Sequence, residues 1–300
     1  MSLKETKRPH SLIQIGILFG LVALCLFLCL LLVKLSLPLL FGISDPDTFI
    51  VSMEMQQTKI YAALFMQSLA STWGMFLLPA IIFTQVLRYP IADFFKLNRM
   101  PKFYEIGLAL LIIVLGGIFI NLLVDLSKAI PLPSSLESLR NTQQNTENLI
   151  RAFFSVNSLN HFLILTIVLA LLPAVAEELF FRGVLQTMLE SSGVGSLTSI
   201  AIAALSFSFM HLEFDNFLAI WTMGIVLGLL YRYTQNLWIP ILAHFSNNFL
   251  MISSKYAFIN HLIESDTSEN TTLPIWATTL SGLLMLFLLW FLSKKSALKD

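Results

Sequence analysis

Apolar residues run along this chain in long unbroken stretches, not in short alternating segments. Eight stretches approach or exceed the roughly 20 residues a helix needs to cross a hydrocarbon core. They are residues 11–33, 60–87, 104–126, 160–190, 196–212, 216–233, 237–253 and 273–292. None shows the ten-residue alternation of an outer-membrane barrel, so strands are not expected. The pattern predicts an all-α fold: a polytopic membrane protein of about eight transmembrane helices.

Composition agrees with that pattern. Hydrophobic residues make up 56% of the 300 and charged residues 12%, about half the charged share of a soluble domain. The mean hydropathy is +0.79. The 25 phenylalanines rule out disorder. Eighteen basic and 18 acidic residues cancel, so no net field draws in nucleic acid. Cys25 and Cys29 lie one helical turn apart inside the first apolar run and read as small apolar fillers. That run follows a short basic head (Lys4, Lys7, Arg8), with no small-residue cleavage site after it. The expectation is a retained first span, not a removed signal.

Basic residues set the expected orientation. With the N-terminus inside, the inner side holds Lys4, Lys7, Arg8, Arg88, Lys96, Arg99, Lys102, Arg182, Arg232, Lys294, Lys295 and Lys299. The outer side holds half as many: Lys34, Lys59, Lys128, Arg140, Arg151 and Lys255. The loop 254–272 is acidic, as suits an outer loop, and contains the weak glycosylation signal Asn270-Thr271-Thr272. The expected topology is N-in and C-in, in the plasma (inner) membrane. The hydrophilic stretch 127–159 reads as a loop with a short surface helix near 144–156. Three parts follow: 1–159 with helices one to three and an outer loop, a core at 160–253, and 254–300 with a loop and the last helix.

Ionisable side chains inside a membrane are costly, about 2.5–3.5 kcal/mol each on insertion scales. Almost all of them fall in spans four to seven. Glu177 and Glu178 point about 100° apart on a helix, so they cannot serve one partner equally. Arg182 is four residues past Glu178 and shares its face. Glu178 is thus expected to pair with Arg182, and Glu177 to remain free to exchange a proton, as a general base must. A structural ion pair tying span four to a neighbour is the alternative. Glu177 and His211 are equidistant from Val194 in the turn Gly193-Val194-Gly195. In an antiparallel hairpin they fall at one depth, where an acid and an imidazole can polarise a water. The alternative for His211 is an interfacial residue at a helix end. His244 and Asn248 share one face of span seven. They can act as two donors to an oxyanion, or simply as glue between helices. Straight-helix counting leaves His244 about 13 Å from the level of His211; a tilt, a bend at Pro240 or a short re-entrant loop at 212–216 must close that gap.

Three motifs in order carry a family resemblance. Glu177-Glu178-Leu179-Phe180-Phe181-Arg182 fits EExxxR, Phe207-Ser208-Phe209-Met210-His211 fits FxxxH, and His244-Phe245-Ser246-Asn247-Asn248 fits HxxxN. The region 160–252 resembles the CAAX prenyl protease and bacteriocin-processing (CPBP, or Abi) family of intramembrane proteases. The resemblance implies eight membrane helices with a cavity open toward one leaflet. It implies that Glu177 and His211 activate water, that Glu178 fixed by Arg182 supports the site, and that His244 and Asn248 form an oxyanion hole. It also implies a peptide or membrane-protein substrate in the bilayer. Members of the family are often labelled metalloproteases. Glu177, Glu178, His211 and His244 are chemically adequate zinc ligands, but there is no HExxH, and a metal-free mechanism uses the same residues. The cofactor is left open.

Two other functions compete. A proton-coupled transporter or channel also uses intramembrane Glu and His, but would show broken helices in two related halves, and no repeat is visible. A non-catalytic membrane scaffold, for instance one giving bacteriocin self-immunity, has no need of all six polar groups together.

Overall fold

A computed structural model of the chain describes residues 11–43, 57–130, 146–264 and 273–297. Eight long helices occupy the eight apolar stretches: α1 (Ser11–Phe41), α2 (Gln57–Val86), α3 (Phe103–Ala129), α4 (Leu159–Ser191), α5 (Ser196–His211), α6 (Phe217–Thr234), α7 (Trp238–Ile259) and α8 (Ile275–Ala297). No strand occurs among the described residues. The protein is an all-α, multi-pass membrane protein. Six of the helices, all but α5 and α7, are long and apolar enough to cross a bilayer. α5 has 16 residues and spans about 24 Å, short of a core of about 30 Å. α7 has 22 residues but is interrupted by Asn247, Asn248, Ser253, Ser254 and Lys255.

The surface fits that setting. Leu24, Phe27, Leu283, Phe287 and Trp290 on α1 and α8 are exposed, as side chains facing lipid tails must be. Two of the apolar clusters show how the bundle is held. One joins α3, α6, α7 and α8 through Ile112, Leu227, Ile239 and Met285. The other joins α1, α2, α4 and α6 through Leu18, Phe83, Val184 and Tyr231. The expected short helix is present at 146–153, but it is not a surface helix: Ala152 and Phe153 are buried in an apolar cluster with Ile60 and Leu165. The basic head and the glycosylation signal lie outside the described residues.

Local sequence sets the helix boundaries. The Ser158 hydroxyl caps α4 by accepting from the His161 N–H at 3.2 Å. Gly193, at φ 87°, makes the turn into α5. Leu212 and Gln235 end α5 and α6 in the left-handed conformation.

Three stretches are wound as π-helix: Ser68–Leu77 in α2, and Thr166–Leu171 and Leu179–Gln186 in α4. The first two end two residues before Pro79 and Pro173. A proline lacks an N–H, and its ring displaces the carbonyl four residues back, so the preceding turn widens. The third begins directly after Glu178 and contains Arg182. Such π segments gather at functional sites. α4 packs against α2, α5 and α7, and α6 packs on both α3 and α5. The polar middle of α4 therefore faces three helices at once.

Candidate active site

Glu178 is the hub. Its side chain is wholly buried, and so is that of Arg182, one turn on. Arg182 Nη1 donates to Glu178 Oε1 at 2.6 Å, the pairing the i, i+4 spacing predicts. His244 Nδ1 lies 2.9 Å from the same oxygen. A carboxylate oxygen only accepts, so His244 donates from Nδ1, and neutral His244 then carries a bare Nε2. That Nε2 lies 3.8 Å from Glu177 Oε2.

Two acceptors remain open. Glu177 Oε2 and Glu178 Oε2 are buried without a hydrogen-bond partner. Buried polar atoms are nearly always bonded, so each such exception needs an explanation. A water molecule donating to Glu177 Oε2 would satisfy it. The Glu177 side chain keeps 13% of its surface open, while Glu178 has none, so access runs to Glu177.

Phe207 links the two histidines. Its ring centre is 4.6 Å from that of His211 and 5.7 Å from that of His244. The Arg182 guanidinium lies over the same ring at 5.0 Å. Phe76 and Phe181 continue this aromatic wall toward α2. Sequence reasoning quoted Phe207 only as part of a motif. The available signal was its position four residues before His211, on the same helix face.

The structure brings Glu177, Glu178, Arg182 and His244 into one cluster. His211 joins it through Phe207, not through an ion pair with Glu177. Its Nδ1 donates to the Phe207 carbonyl at 2.8 Å, which leaves Nε2 bare in the neutral ring. The imidazole nearest Glu177 is thus His244, where equal spacing from the turn pointed to His211. Despite the roughly 13 Å expected from straight helices, both histidine rings lie against the one Phe207 ring. Asn248 is half-buried one turn beyond His244, and its Oδ1 accepts from Asn247 at 3.4 Å. A cavity of about 290 Å³ lined by Phe83, Tyr89, Asp93, Thr187 and Ser191 lies toward the far end of α4 and includes none of these residues.

The donor set does not assemble a zinc site. Among the described residues no three His, Cys, Asp or Glu side chains converge closely enough to hold a metal ion. Glu178 Oε1 is already shared between a guanidinium and an imidazole.

Residues 159–250 match the model of a family described as type II CAAX prenyl endopeptidase Rce1-like. The resemblance carried by the three motifs is borne out over that stretch, about a third of the chain. A Bacillus subtilis (strain 168) protein described as "Uncharacterized protein YpbD" is 40% identical over 96 residues, which are 32% of this chain and 46% of that protein. The chain thus spans about half the length of the curated relative it matches. No solved structure matches.

Proposed function

We propose that this protein is an intramembrane endopeptidase that hydrolyses a peptide bond of a membrane-associated peptide or protein in the plasma membrane. The supporting observation is the open, buried Glu177 Oε2 facing His244, within the stretch that matches a prenyl endopeptidase family. Glu177 takes a proton from a bound water, with His211, packed against Phe207, assisting. The water oxygen attacks the carbonyl carbon. The C–N bond then breaks, and the amine leaves with the proton held by Glu177. Asn248 donates its side-chain N–H to the oxyanion, and His244 does so from Nε2 after taking a proton from solvent before the attack. Glu178 and Arg182 hold His244 in place. With two acids, two imidazoles and an amide on adjacent helices, the core at 160–253 can keep water where lipid would exclude it.

The test compares the membrane peptidomes of cells carrying the native protein and a Glu177→Gln variant. The proposal expects specific cleavage products to vanish in the variant while its membrane level stays unchanged. Identical peptidomes would reject it.

A further inference from the structure

We infer that Gly224 is a positioning residue of this site: its missing side chain brings the α6 backbone to Arg182, and its carbonyl, through Arg182 and Glu178, sets the orientation of the His244 imidazole. This deepens the hydrolase reading, and the part concerning His244 rests on that reading only for its consequence.

Arg182 makes two directional bonds at once. Nη1 serves Glu178 at 2.6 Å, and Nη2 donates to the Gly224 carbonyl at 2.9 Å. The guanidinium is planar, so fixing both ends fixes its plane. That plane fixes the Glu178 oxygen onto which His244 Nδ1 donates. The hydrogen bond at Nδ1 in turn decides which imidazole nitrogen stays bare. Three hydrogen bonds therefore join α6 to α7 through the interior of α4.

The first link depends on having no Cβ at 224. An added Cβ would sit 2.9 Å from the Ala204 Cβ and 3.0 Å from its Cα. A backbone atom cannot rotate away, so α6 would have to withdraw from α5, and its carbonyl from Arg182. Gly228, one turn further, provides a matched control. A Cβ there meets Ile200 Cγ2 at 2.8 Å and Gln186 Oε1 at 3.0 Å, with no backbone atom among its three nearest neighbours. Gln186 also donates to the Gly228 carbonyl, at 3.4 Å, but it touches neither Glu178 nor His244.

The experiment is ¹⁵N-imidazole NMR on the full-length protein in phospholipid nanodiscs, with the His244 signals identified by their loss in His244→Gln. The native protein is expected to show His244 protonated at Nδ1 and bare at Nε2. Gly224→Ala is expected to lose part of the Nδ1–H signal to the Nε2–H form, with a lowered unfolding midpoint. Gly228→Ala should keep the native signal. Where Gly224→Ala does not fold, Arg182→Lys asks the same question, since lysine keeps the charge but cannot bridge both oxygens. An unchanged Nδ1–H signal in whichever of these folds, or an equal loss in Gly228→Ala, overturns the inference. Because this readout needs no cleavage, its failure leaves the hydrolase proposal standing.

Discussion

Glu105 and Glu178 are both buried carboxylates paired with an arginine, but only Glu105 has both oxygens filled. At the start of α3, Arg99 Nη2 reaches both Glu105 oxygens, at 2.8 and 3.0 Å. The Lys102 N–H adds a capping bond at 3.1 Å and the Tyr104 hydroxyl another at 3.2 Å. This is a closed arrangement at a helix N-terminus, where negative charge is favoured. In the middle of α4, Glu178 crowds a guanidinium and an imidazole onto one oxygen and leaves the other empty, and Glu177 beside it also has an empty oxygen. Arg99 leaves its own Nε without a partner, but there the gap lies on the cation, not on a group able to take a proton. A complete network fastens a helix end. An incomplete one leaves acceptors open to a further donor.

The contrast can be broken from either side. Arg182→Leu should have the largest effect on stability, because it strands the Glu178 charge in the interior. Removing one partner of a buried pair costs about 3–5 kcal/mol, so thermal unfolding in detergent should show a large drop in midpoint. Glu105→Gln should cost less, about 1–3 kcal/mol for the lost charged hydrogen bonds, and should leave cleavage by the folded fraction unchanged. Arg99→Lys should cost least, within about 1 kcal/mol, since Arg99 is 41% exposed and lysine keeps the charge. If Glu105→Gln abolished cleavage at normal stability, the distinction between the two acids would collapse.

The helices were legible because a bilayer imposes a length and a polarity on each span. Most ends fell within a few residues of expectation. α1 runs on to Phe41, past Lys34 and Ser36, where the apolar count stops, because a serine hydroxyl can bond back to its own helix, as Ser36 does to the Val33 carbonyl. α7 continues to Ile259 through the polar residues that ended the predicted span. Among the site residues, the Glu178–Arg182 pair needed only the i, i+4 rule. The imidazole in direct reach of Glu177 was less legible: spacing about the Gly193 turn compares depths only, and the nitrogen within 3.8 Å of Glu177 belongs to His244. The π segment between Glu177 and that turn changes rise and facing. The role of Gly224 was invisible in the sequence, because it lies in a backbone carbonyl and an absent side chain.

One measurement bears most directly on the claim that the empty oxygen of Glu177 is where water is activated. Purified native protein and Glu177→Gln are reconstituted in liposomes with membrane peptides from the same cells. Cleavage rate and unfolding midpoint are recorded together. The account predicts that cleavage falls by about 10²–10⁴-fold while the midpoint hardly moves. Native cleavage by Glu177→Gln, or a loss of ion flux in place of a loss of cleavage, would contradict it.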